Sequence, residues 1–108
     1  ALDPGRIASL SGPVIEGWLR GGLGFDGIVI ADDFSMAAAS ASGLNANAAA
    51  ILALNSGVDM IMAWPRDLSS LHAAILGALR EGRLSRERLS EAAGRVIAGK
   101  IRYGLVSE

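Results

Sequence analysis

Gly24-Phe25-Asp26-Gly27-Ile28-Val29-Ile30-Ala31-Asp32-Asp33-Phe34-Ser35-Met36 is the stretch on which the fold turns. Three β-branched residues in succession, Ile28, Val29 and Ile30, follow a Gly-x-x-Gly punctuation and run into two carboxylates. The pattern predicts a short strand buried on both faces, with charge delivered at its C-terminal end. In parallel α/β architectures ligands and chemistry gather at that end, so Asp32 is a catalytic candidate on position alone. An Asp after a strand also serves as an N-cap or turn residue of the next element, and both readings stand at this point.

Upstream, Pro4 to Leu10 reads as a loop and Ser11 as an N-cap, with Leu10 and Ile15 at the spacing of a hydrophobic staple. Val14, Ile15, Trp18 and Leu19 then recur at three and four, predicting a helix that Gly21, Gly22 and Gly24 stop. Trp18 is expected to pack rather than to bind a ligand. Downstream, Ala37 to Gly43 is too featureless for a helix and reads as an active-site loop beside Asp32. An alanine-rich helix follows from about Asn45 to Asn55, closed by Ser56-Gly57, and then a second buried strand, Val58 to Pro65. A helix between two strands makes a βαβ unit, for which a parallel pairing is expected.

Asp59 opens the second strand, away from the rim where Asp32 lies, and a structural role in a turn is expected of it. Trp64 stands at the rim, where its ring could stack on a sugar or cap the end of a barrel. Asp67 is placed to cap a third helix through Leu68, Leu71, Ile75, Leu76 and Leu79, ending near Gly82. His72, the sole histidine, sits at the edge of that stripe with no carboxylate at helical spacing, and reads as structural or surface-lying. Ser85 caps the last helix, with Leu84 and Leu89 as its staple. Arg95, Lys100 and Arg102 favour its C-terminal end as a solvated face, and Gly104 closes it.

The apolar fraction of 51% leaves out a further 14 glycines, a greasy composition for 108 residues standing alone. Such a surplus implies an apolar face that something else covers. A net charge of −1 gives no electrostatic handle on nucleic acid or an anionic membrane. With no cysteine there is no disulfide framework or thiolate metal site, and the compartment is left open. No apolar run approaches the ~20 residues that span a bilayer. No cofactor or metal is expected. Two parallel strands cannot make a covered sheet, so residues 1–108 read as part of a larger α/β barrel.

Leu19-Arg20, Leu23 to Val29 and Asp32-Asp33-Phe34-Ser35-Met36 together resemble the nucleophile signature of glycoside hydrolase family 3, in particular its β-N-acetylhexosaminidase branch. Ala8-Ser9-Leu10-Ser11 upstream and Gly57-Val58-Asp59-Met60-Ile61 downstream extend the resemblance over essentially the whole chain. It implies the C-terminal βα units of a (β/α)8 TIM-like barrel, with parallel strands and flanking helices, incomplete as a stand-alone domain. It implies a retaining β-glycosidase acting on β-linked N-acetylhexosamine-type or other glycosides, with Asp32 as nucleophile. Met36 and Trp64 are the candidate substrate contacts. Ala31 stands where the family usually has Ser, and Asn47 lies near a position that often carries Glu.

A retaining glycosidase also needs an acid/base group across the scissile bond, about 5 Å from the nucleophile when that group is a carboxyl. The resemblance assigns that role to an Asp-His pair on a loop of an earlier barrel strand, and the 108 residues hold no such loop. The isolated chain is therefore expected to be inactive and to pair with the remaining strands of its own barrel or with a second copy. One alternative is a receiver-like signalling module in which Asp32 and Asp33 help hold Mg²⁺, although Ala63 stands where its phospho-acceptor Asp would be. Another is a non-catalytic barrel remnant.

Overall fold

The computed structural model describes residues 7–32 and 45–105. The expected loop at 37–43, together with Asp33 and Met36, lies outside the described residues. A 3₁₀ turn, Ala8–Leu10, leads into α1 (Pro13–Gly22) and β1 (Ile30–Ala31); α2 (Ala46–Ser56) and β2 (Met60–Ile61) follow. A second 3₁₀ turn, Pro65–Asp67, opens α3 (Leu68–Arg80), and α4 (Arg86–Arg102) comes last. The fold is α/β, largely helical, with β1 and β2 parallel and Ile30 beside Met60, Ala31 beside Ile61.

The ladder is shorter than the apolar runs 28–30 and 58–65 suggest, and its start has a chemical cause. The N–H of Val29 donates to the Asp59 carboxylate at 3.1 Å instead of to a backbone carbonyl, so strand pairing begins one residue later. Burial on both faces does not hold either. Ala31 is 3% exposed on the side covered by α2, whereas Ile30 is 56% and Met62 58% exposed on the other. Strand alternation with a helix layer on one side produces this result.

Short polar side chains start three of the helices, Ser11 and Ser85 as the sequence suggests and Asn45 in addition. Ser11 Oγ accepts from the N–H of Val14 (3.3 Å), Asn45 Oδ1 from that of Ala48 (2.8 Å), and Ser85 Oγ from that of Arg88 (3.1 Å). Leu10 and Ile15 meet in one core cluster with Ala31, Ala49, Ala50, Ala53 and Val58, and the small alanines let α2 lie close beneath the sheet. A second cluster, Ile51, Leu54, Ala78 and Leu84, fastens α3 and the start of α4 to the far side of α2. Gly57, at φ +116°, ends α2, and the N–H of Val58 then reaches back to Ala53 O. An added Cβ at Gly57 would meet Ile15 and Glu16, so the glycine also lets α1 approach.

Two local readings are corrected. α1 is wound with i→i+5 hydrogen bonds, as in the 2.9 Å bond from Leu23 N–H to Trp18 O, which places Ile15 and Arg20 inward five residues apart. Trp18 is thereby turned outward, 53% exposed, and does not pack as expected. Asp67 makes no side-chain cap, because Pro65 sets a 3₁₀ turn that carries the chain into α3 with Asp67 already helical. Among the described residues no helix is long and apolar enough to cross a membrane, and no three His, Asp or Glu side chains gather as metal ligands.

Ile30, Met60 and Met62 form an open apolar sheet face. Residues 1–108 in isolation should therefore associate, with an apparent mass that rises with concentration in size-exclusion chromatography coupled to light scattering. A monomer at every dilution would show that this face needs no cover.

Candidate functional site

Two polar constellations lie at opposite ends of the sheet. At the C-terminal end, Asp32 follows β1 directly and is exposed. Alternation puts it on the open face with Ile30, across from Met62, with Trp64 two residues further along the neighbouring strand. Trp64 is 55% exposed, and the Arg66 guanidinium stands 5.8 Å from its ring centre, occupying one face of the indole. The first turns of α2 and α3 open on the same rim, joined by a 2.7 Å hydrogen bond from Asn47 Nδ2 to Ser70 Oγ. His72, on α3, is exposed, as its position at the edge of the stripe suggests.

At the N-terminal end lies a constellation that the sequence reading missed. The Asp59 side chain is fully buried, and its two oxygens divide four donors. Oδ2 accepts from Arg20 Nη2 at 2.6 Å and from the N–H of Val29 at 3.1 Å; Oδ1 accepts from Arg88 Nη2 at 3.2 Å and Arg95 Nη1 at 3.1 Å. Two of the guanidiniums also hold backbone carbonyls: Arg20 those of Gly27 (2.9 Å) and Gly57 (3.4 Å), Arg88 those of Leu54 and Val58 (2.6 Å each). Glu16 and Glu91 balance the charge, Glu91 reaching Arg95 Nη1 at 2.7 Å. Burial pushes the Arg95 pKa down, but the hydrogen bond and charge of Asp59, with those of Glu91, outweigh it and hold the guanidinium above its usual value.

Asp59 is thus structural as expected, though as the centre of an ion cluster rather than a turn residue. Arg95 is not a solvated cation, since its side chain is 25% exposed and engaged on both sides. One signal was available. Ala92 is buried on the inner face of α4, and the positions four before and three after it, Arg88 and Arg95, share that face.

A cleft of about 310 Å³ lined by Phe25, Ile28, Arg95, Arg102 and Tyr103 also lies at this N-terminal end. It is remote from Asp32 and is not the rim site.

Residues 2–98 match the glycosyl hydrolase family 3 N terminal domain, and the chain belongs to that family. It is 32% identical over 102 residues to a beta-N-acetylglucosaminidase/beta-glucosidase of Cellulomonas fimi, a match covering 94% of this chain and 17% of that protein. Among solved structures, a family 3 beta-N-acetylglucosaminidase from Paenibacillus sp. str. FPU-7 superposes with a TM-score of 0.87 at 35% identity, over 100% of this chain and 21% of its own. A beta-N-acetylhexosaminidase from Beutenbergia cavernae DSM 12333 gives 0.80 at 34% identity, over 92% and 30%. The chain therefore spans less than a third of the length of each of these glycoside hydrolases.

Proposed function

We propose that residues 1–108 are the C-terminal βα units of the (β/α)8 catalytic barrel of a retaining β-N-acetylhexosaminidase, with Asp32 as its nucleophile. The observation that carries this reading is the exposure of Asp32 at the C-terminal end of a strand, within the motif 24–36, in a chain that belongs to family 3. Strand alternation supports it, because the same face presents Asp32 and Trp64 toward where the other strands of a barrel would lie.

In this reading the Asp32 carboxylate attacks the anomeric carbon, and the bond from that carbon to the aglycone oxygen breaks. The departing oxygen takes a proton from an acid group held by an earlier part of the barrel. That group, now a base, removes a proton from water; the water oxygen bonds to the anomeric carbon, and the Asp32 ester bond opens. Trp64 offers the free face of its indole to the sugar, and Met36 is the second proposed substrate contact. The substrate is a β-linked N-acetylhexosamine-type glycoside, as the names of the relatives suggest.

Assaying the full-length protein and residues 1–108 side by side on an aryl β-N-acetylglucosaminide tests the division of labour. Turnover is expected from the full-length protein and none from residues 1–108, which carry no acid/base loop. Turnover by the shorter chain that disappears in its Asp32→Ala variant would overturn the proposal that the proton donor lies elsewhere.

A further inference from the structure

We propose that Asp59 is a positioning residue that fixes where Asp32 stands, an inference that rests on reading Asp32 as the nucleophile. Asp59 grips Val29 twice: its carboxylate takes the Val29 N–H at 3.1 Å, and its own N–H donates to Val29 O at 2.9 Å. Side chain and backbone together set the register in which Ile30 meets Met60. That register decides which face carries Asp32, because a slip of one residue would send it to the helix side. From Val29 to Asp32 is three residues of extended chain, about 10 Å, too short to absorb a shift made at its foot.

The carboxylate can hold Val29 only because it is itself immobilised. Arg20 comes from α1 to one carboxylate oxygen, Arg88 and Arg95 from α4 to the other, and the carboxylate is sealed from water. An apolar cluster of equal volume would stabilise the fold about as well, so a buried ion group is better explained by the geometry it specifies. Helix α4, which follows α3, is in this way coupled to the strand that leads into Asp32.

Charge-conserving variants of the full-length enzyme test the idea, with active sites counted by covalent labelling with a fluorinated substrate. Asp59→Glu keeps the charge balance but moves the carboxylate by one methylene. It should lower kcat per labelled site by about 10- to 100-fold with KM little changed. Arg95→Lys, at the most accessible of the three guanidiniums, should produce a smaller fall in the same direction and decides the matter if Asp59→Glu does not fold. A role confined to stability would reduce the number of labelled sites and leave kcat per site intact; that outcome in both variants would overturn the inference. Asp32→Asn separates the two levels. If it keeps turnover, the nucleophile reading fails and this inference with it; if it abolishes turnover while Asp59→Glu and Arg95→Lys keep full kcat per site, only the positioning role fails.

Discussion

Asp32→Asn in the full-length protein should lower kcat by several powers of ten, whereas Asp33→Asn should cost far less. The difference arises from strand geometry. Asp32 shares its face with Ile30 and stands across from Met62, and successive residues of an extended chain face opposite ways. An amide is too weak a nucleophile to form the glycosyl ester, so the loss should be in kcat, with binding of the sugar largely retained. A substrate with fluorine at the 5-position, or at the 2-position where the pocket accepts it, destabilises the oxocarbenium-like transition state and lets the adduct accumulate. Peptide mapping should then find the label on Asp32. Label on Asp33, or near-normal turnover by Asp32→Asn, would sink the assignment.

Asp59→Ala should destabilise the protein by about 3–5 kcal/mol, a large effect for a residue far from the proposed chemistry. The cost comes less from the lost hydrogen bonds than from what stays behind. Arg20, Arg88 and Arg95 have side chains 8%, 13% and 25% exposed, and without Asp59 their charges face one another across a water-poor gap. Two of their nitrogens are already short of hydrogen bonds: Arg20 Nε and Arg88 Nη1 reach only Glu16 at 3.7 Å and Glu91 at 3.6 Å. Urea unfolding of the full-length protein measures the change. Removing one stranded cation as well, in Asp59→Ala with Arg95→Met, should recover part of it. A loss below about 1 kcal/mol for Asp59→Ala would mean that the cluster is solvated like a surface pair.

Much of this arrangement is legible along the chain, because it is encoded locally. Ser11, Asn45 and Ser85 each satisfy a donor three residues on, and Gly57 and Gly104 adopt the positive φ that ends a helix, so local punctuation marks the starts of α1, α2 and α4 and the ends of α2 and α4. The position of Asp32 after a strand is equally local. The ion cluster is not. Asp59 meets its partners Arg20, Arg88 and Arg95 at separations of 39, 29 and 36 residues, and nothing in the surroundings of Asp59 in sequence announces a cation. The winding of α1 is hidden for another reason: its apolar residues at three and four fit an α-helix, and only the inward pull on Arg20 distinguishes the wider turn that exposes Trp18. For Asp67 the composition of a cap is present, but Pro65 shifts the start of the helix onto it.

The order in which the ion cluster is made carries a consequence for synthesis on the ribosome. Asp59 emerges after Arg20 but 36 residues ahead of Arg95, an interval of about 2–7 s at ordinary elongation rates. Until Arg88 follows, 29 residues after Asp59, the carboxylate has one of its three guanidiniums available, and the short parallel pairing it governs can form and dissolve without being committed. The nascent strands are most open to pairing with a neighbouring chain in that same window. A ribosome that pauses between β2 and α4 would prolong it, so the codons of that interval bear on yield as directly as the residues they specify.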